Sequence, residues 1–242
     1  MLGLLRLILV FPLFIIICII GTLTSLVRPF HRNNTYFVAR LLSKLARFVG
    51  IKLIIRVPQH LTDSPKVIIA NHQSNYDVIT MSGGVTPGVV SVGKKSLKWV
   101  PLFGQLYWLS GNIFIDRSNK SRAKQTMTDL LAHMKKRNLS IWFFPEGTRS
   151  KGRGLLPFKM GAFHIALQAK VPLLPIVLSS LNSFSINRWD NGYAIIDYLE
   201  PIETSDFNES QVKELAKIAR DKMLQKIEEL DAEVAELNRQ KG

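Results

Sequence analysis

An α/β domain with a central, mostly parallel or mixed sheet flanked by helices, preceded by an N-terminal hydrophobic helix and an amphipathic helix that anchor it to a membrane, is the architecture this sequence predicts. Three observations carry it. Short β-branched or aromatic runs alternate with helical segments. An uncharged apolar stretch opens the chain. Two polar, glycine- or histidine-bearing turns follow directly on strand-like runs, where α/β sheets gather their ligand sites.

In chain order, Leu7 to Val27 carries no charge, and as a helix these residues extend about 31 Å, enough for a hydrocarbon core. Arg6 bounds one end, and Arg28 and Arg32 the other. The stretch is long and lacks a clear small-x-small cleavage site before Arg28, so a retained membrane segment is expected rather than a signal peptide. Pro12 leaves open whether it crosses or turns back within one leaflet. From Thr35 to Phe48, Phe37, Val38, Leu41, Leu42, Leu45 and Phe48 fall on one side with Arg40, Lys44 and Arg47 interspersed, an amphipathic pattern expected at the membrane surface. The positive charge after Val27 puts the rest of the chain on the cytoplasmic side. Residues 1–50 are thus read as an anchor and 51–242 as the α/β domain.

Strands are expected at Val67 to Ala70, Val89 to Val92, Ile113 to Ile115, Ser140 to Phe144, Leu173 to Leu178 and Tyr193 to Tyr198. Arg117 to Arg137 reads as a helix ending in Lys135-Lys136-Arg137, cations that suit a helix C-terminus. Glu209 to Lys241 is a charged helix with Ala216, Met223, Leu230 and Leu237 at seven-residue spacing. The repeat is short and uses alanine, so packing on the sheet is expected over a coiled coil.

The single cysteine, Cys18, excludes an intrachain disulfide and a cysteine metal cluster. The formal charge of +14 is uneven: 23 lysines and arginines face five acids up to residue 164, and nine face thirteen beyond it. A basic field of this kind attracts anionic headgroups, phosphorylated substrates, nucleic acid or an acidic carrier protein without choosing among them.

Chemistry concentrates in two turns. After Val67 to Ala70 comes Asn71-His72-Gln73-Ser74-Asn75-Tyr76-Asp77. A histidine accepts a proton near neutral pH, and a nearby carboxylate fixes its tautomer and stabilises the imidazolium. On one continuous helix the two side chains would stand roughly 140° apart. His72 is therefore placed in the turn and Asp77 near the start of a helix capped by Ser74 or Asn75. The second turn is Pro145-Glu146-Gly147-Thr148-Arg149-Ser150, then Lys151-Gly152-Arg153-Gly154. Its glycines, hydroxyls and the Arg149 fork suit a phosphate or oxyanion.

Rival chemistries fail on residue type. Gly88 to Lys94 nearly completes a phosphate-loop pattern, but Lys95 replaces the required Ser or Thr. There is no Gly-x-Ser-x-Gly elbow and no His-Glu-x-x-His. His31, His60, His133 and His164 lack comparable neighbours and read as structural or exposed.

Four blocks in order resemble the glycerolipid acyltransferase family: Asn71 to Asp77, Gly111-Asn112-Ile113-Phe114-Ile115-Asp116-Arg117, Phe144 to Ser150, and Val171-Pro172-Leu173-Leu174-Pro175-Ile176. The resemblance implies transfer of a fatty acyl group from acyl-CoA or acyl carrier protein to the free hydroxyl of a lysophospholipid, 1-acyl-glycerol-3-phosphate above all, with glycerol-3-phosphate or another lysolipid as the alternative acceptor. It implies His72 as base oriented by Asp77. Arg117 and Arg149 would hold the phosphate, helped by Lys94 and by main-chain donors of Gly147 and Thr148, with Glu146 an organiser rather than a second base. Neither metal nor other cofactor is expected. The partners expected are the membrane lipid and the acyl donor, not nucleic acid, and the location is the bacterial inner membrane, domain facing the cytoplasm. Trp99, Phe103, Tyr107 and Trp108, close to Lys94, Lys95 and Lys98, suit either a membrane-facing entrance or acyl groove, or an ordinary core. Both readings expect Phe103 to be buried.

Overall fold

The computed structural model describes residues 1–59, 61–116 and 120–241, with the side chains of 120–124 and 135 left aside. His60 and Arg117 therefore lie outside the described residues.

Seven strands form one sheet: β1 (Ile51–Arg56), β2 (Val67–Ala70), β3 (Val89–Lys94), β4 (Ile113–Ile115), β5 (Ser140–Phe143), β6 (Leu173–Leu178) and β7 (Gly192–Tyr198), in the order β1-β7-β6-β2-β5-β3-β4. Every pairing is parallel except β6 with β7, so β1 and β7 run against the other five. The sheet is mixed, as expected. β1 is an addition: Ile51-Lys52-Leu53-Ile54-Ile55-Arg56 carries strand-forming residues beside the anchor, and it pairs in full register with β7.

Along β2 the side chains alternate between faces. Val67 and Ile69 join Ile141, Phe143, Leu130, Phe163, Leu215 and Met223 in one core; Ile68 and Ala70 join Trp142, Leu174, Ile176, Met81 and Ala46 in the other. Burial on both faces explains why the central strands read as unbroken apolar runs. Helices α5 (Lys120–Arg137), α6 (Gly161–Ala169) and α7 (Val212–Arg239) supply the first core. Ala216, Met223 and Leu230 of α7 are buried there, so its seven-residue stripe faces this domain.

At the front, α1 (Leu2–Val27) runs through Pro12 without a break and is long and apolar enough to cross a membrane. One side of it, with Gly3, Arg6, Ile17, Cys18, Gly21 and Ser25, is buried against the rest of the chain. Ile17 and Cys18 meet Val38 and Leu42 of α2 (Asn34–Lys44), Leu45, and Leu106 of α4 (Phe103–Leu109), α3 being the single turn Asp77–Thr80. A Cβ on Gly21 would come 2.8 Å from Val38 and 2.9 Å from Leu106, so glycine permits this close approach. The apolar stripe of α2 is therefore spent on α1, and its exposed side carries Arg40 and Lys44. The larger exposed apolar face belongs to α1, where Leu4, Leu5, Ile8, Phe11, Ile19 and Leu23 are exposed.

Both ends of α1 are tied down. Near the first, Arg6 donates to the carbonyls of Ile186 (2.9 Å), Arg188 (2.5 Å) and Trp189 (2.6 Å), and the Gly3 N–H donates to Asn187 Oδ1 at 2.9 Å. Near the second, the Ser25 hydroxyl lies 3.4 Å from that of Ser110.

Candidate active site

The strand order brings the motif blocks to one edge. β6, β2, β5, β3 and β4 are adjacent and parallel, so the turns after β2 (His72), β5 (Pro145 to Ser150), β3 (Lys94) and β4 (Asp116) all emerge at their carboxyl ends. Lys94 ends a strand two places from β2, about 10 Å away across the sheet.

His72 sits in the turn, and Asp77 is the first residue of α3. His72 Nδ1 and Asp77 Oδ2 are 2.5 Å apart, the Asp77 side chain is buried, and the same oxygen accepts the N–H of Gln73 (2.7 Å) and of Ser74 (3.2 Å). Three donors on one buried oxygen fix the carboxylate as a hydrogen-bond acceptor. With Nδ1–H committed to Asp77, Nε2 is the atom left to take a proton. Phe144 stacks on the imidazole at 4.1 Å between ring centres and holds its plane. No side chain caps α3, contrary to expectation: the Ser74 hydroxyl instead accepts the Tyr76 N–H at 3.1 Å, tightening the turn that brings Asp77 back to His72.

Residues outside the expected set hold this turn. Asn71 pairs with Leu178 through both amide atoms (2.8 and 2.9 Å), extending the β2–β6 ladder by a side chain. Gln73 donates to the carbonyls of Leu178 (3.0 Å) and Ser179 (2.8 Å) and accepts the Leu181 N–H at 2.8 Å. The next peptide is held by α7: Asp231 accepts both the N–H and the hydroxyl of Ser180 at 2.6 Å. Sequence could have flagged Asn71 and Gln73 as polar residues flanking a base; Asp231, 51 positions from Ser180, carries no local signal.

Glu146 is buried and bonded to main chain on two segments. Its Oε1 accepts the His72 N–H at 2.6 Å and its Oε2 the Leu156 N–H at 3.0 Å. Burial pushes its carboxyl above the ordinary 4.5, against those two hydrogen bonds. The turns are also laced by main chain, Ser150 N–H to His72 carbonyl (2.8 Å) and Lys151 N–H to Gln73 carbonyl (2.9 Å).

Gly147 has φ +70°, which favours glycine. Its N–H donates to the Phe144 carbonyl at 3.0 Å, so it closes the turn and is not the free phosphate donor expected of it. A Cβ here would lie 2.9 Å from Lys159 Nζ, which identifies a cation over the loop that sequence reasoning missed. Thr148 is exposed. Arg149 is half-buried, and its buried Nε has no hydrogen-bond partner among the described residues. Lys94 is exposed, while Lys95 pairs with Asp116 at 3.0 Å.

In the aromatic segment, Trp99 and Trp108 are exposed and Tyr107 is half-buried, its hydroxyl 2.8 Å from that of Ser91. Phe103 is half-buried rather than buried as expected, because it stacks on Phe14 of α1 at 6.0 Å, at the rim between helices α4 and α1.

A buried carboxylate thus meets a partly exposed histidine at the carboxyl edge of an α/β sheet, beside a basic glycine turn. Comparison with known proteins gives the class: residues 52–179 match the Acyltransferase family model, and the chain belongs to that family. It is 48% identical to the 1-acyl-sn-glycerol-3-phosphate acyltransferase of Haemophilus influenzae, over 98% of this chain and 100% of that protein. It is 47% identical to the protein of the same name from Escherichia coli K12, over 98% and 97%. In fold it is similar to the crystal structure of the 1-acyl-sn-glycerophosphate (LPA) acyltransferase from Thermotoga maritima, with a TM-score of 0.72 at 22% identity, covering 95% of this chain and 98% of that one.

Proposed function

We propose that this chain transfers a fatty acyl group from an acyl thioester to the sn-2 hydroxyl of 1-acyl-sn-glycerol-3-phosphate, giving phosphatidic acid. The observation that carries this reading is the His72–Asp77 contact, with Nε2 left to serve as base. Nε2 takes the hydroxyl proton as the oxygen attacks the thioester carbonyl. Asp77 stabilises the imidazolium that forms. Collapse of the tetrahedral adduct breaks the C–S bond, and the thiolate leaves with the proton held by His72. No acyl-enzyme is required. Arg149, with an unpartnered buried Nε, is the first phosphate ligand, supported by Lys159 over the loop and by Thr148 and Lys94. Arg117 of the second block joins them on the strength of the family pattern. Either acyl-CoA or acyl carrier protein serves as donor, both anionic and suited to the basic first part of the chain.

Residues 1–50 form the anchor and 51–242 the acyltransferase domain in this reading. Because both ends of α1 are bonded to the domain, the helix is taken to lie in the cytoplasmic leaflet of the inner membrane with its exposed leucines and isoleucines in the acyl region. The test is a substrate panel in detergent. Acyl-CoA or acyl carrier protein is offered with 1-acyl-glycerol-3-phosphate, glycerol-3-phosphate or a neutral-headgroup lysolipid, and the product is identified by mass. Phosphatidic acid as the dominant product is expected; acylation of glycerol-3-phosphate alone would overturn the acceptor.

A further inference from the structure

Three of the four tryptophans are exposed: Trp99 at 75%, Trp108 at 54% and Trp189 at 77%, against 3% for Trp142. Exposed indoles in water are uncommon, whereas at a membrane surface an apolar ring with a polar N–H is favoured. Trp99 and Trp108 belong to the aromatic segment already described. Trp189 does not: it lies in the connection from β6 to β7, outside the four motif blocks.

Its position is set by α1. The Trp189 carbonyl, with those of Ile186 and Arg188, is bonded to the Arg6 guanidinium, so this connection is fastened to the first two turns of the apolar helix. Beside those turns Leu4, Leu5 and Ile8 are exposed. At the other end of α1, Trp108 packs edge-on against Phe30 at 4.9 Å, just beyond Val27. Each end of α1 thus has an exposed tryptophan on a segment held near it, with Arg6 and Arg28 about 33 Å apart along the helix axis.

The charge around Trp189 suits an anionic surface. Arg188 is exposed, the next residue after the tryptophan, Asp190, is paired with Lys241, and Lys52 and Lys241 both lie over the Tyr193 ring. Lysines and arginines at that level are attracted to anionic phospholipid headgroups.

We propose that the β6–β7 connection is a second membrane contact, with Trp189 seated in the headgroup region of the leaflet that receives α1 and Arg188 among anionic headgroups. The proposal rests on the in-plane placement of α1 given above. Arg6 makes the two contacts one rigid footing. Because Leu181 and Ser180 of this connection also hold Gln73 and Asp231, the footing continues into the catalytic turn.

The test uses the full chain. In a Cys18→Ala background, Trp189→Cys is labelled with an environment-sensitive fluorophore and mixed with phosphatidylethanolamine–phosphatidylglycerol vesicles, with and without spin-labelled lipid. The label should shift to the blue and be quenched. The separate Trp189→Ala variant should lose about tenfold in vesicle partition while acyl transfer in detergent stays unchanged. If the protein cosediments with vesicles but the label's emission does not move, the proposal is overturned and the placement of α1 stands. If it does not cosediment, the placement of α1 fails and the proposal with it.

Discussion

Glu146 Oε1 accepts the main-chain N–H of His72 at 2.6 Å, so a buried carboxylate of one motif block positions the backbone of the base in another. The consequence is a linkage between proton balance and the catalytic turn. Burial holds the Glu146 carboxyl above 4.5 when folded, so the unfolded chain loses that proton first as pH rises. The stability Glu146 contributes is therefore fully present below about 4.5 and is lost as pH climbs through its raised folded value.

Glu146→Gln removes that titration. Melting temperatures in detergent across a pH series should show the advantage of the unmodified protein over the variant shrinking from pH 4.5 upward and levelling above the folded value. An advantage that grows with pH would mean that the folded carboxyl titrates below 4.5, contrary to the burial argument.

Gln73 touches no substrate in this account; it fixes the turn that sets His72 against Asp77. Gln73→Leu strips its donor from the Ser179 carbonyl and its acceptor from the Leu181 N–H, and leaves the Leu178 carbonyl to Asn71 alone. We expect kcat to fall roughly tenfold to a hundredfold with KM for the acceptor within about twofold. A rise in KM at unchanged kcat would make Gln73 a binding residue instead.

Gly147→Ala puts a Cβ in a left-handed conformation and against Lys159. The strain amounts to about 1–2 kcal/mol, and the displaced lysine should raise KM for a phosphorylated acceptor more than for a neutral one. Parallel kinetics on the two acceptors check this; equal effects would remove Lys159 from the phosphate group.

Arg6→Met keeps an apolar stem but strips three main-chain carbonyls of their charged donor. A loss of about 2–3 kcal/mol is expected, read as a fall of about 5–10 °C in melting temperature. An unchanged melt would mean that the guanidinium carries no part in docking α1.

Much of this was legible in the sequence because local pattern and tertiary role agree. Val67 to Ala70 and Leu173 to Leu178 stand as strands at the expected residues, since each apolar run is buried on both faces of a sheet, and Ile113 to Ile115 stands as expected at the sheet edge with Ile115 buried. The placement of His72 in a turn and Asp77 at a helix start followed from helix geometry, which disfavoured a shared helix. Other features depend on partners far away in the chain. That α2 spends its apolar stripe on α1, and that Gly147 gives its N–H to Phe144, are not encoded by any spacing. Glu146, Gln73 and Asp231 act through main-chain groups, whose position a side-chain pattern does not report.

The central claim is that His72, oriented by Asp77, removes the hydroxyl proton. Single-turnover acyl transfer to 1-acyl-glycerol-3-phosphate by the unmodified protein, His72→Ala and Asp77→Asn, each first checked for its melting temperature, tests it most directly. Both variants should fold, with the chemical step slowed by about 10²–10⁴-fold, His72→Ala more than Asp77→Asn. A folded His72→Ala protein with an undiminished chemical step would contradict it.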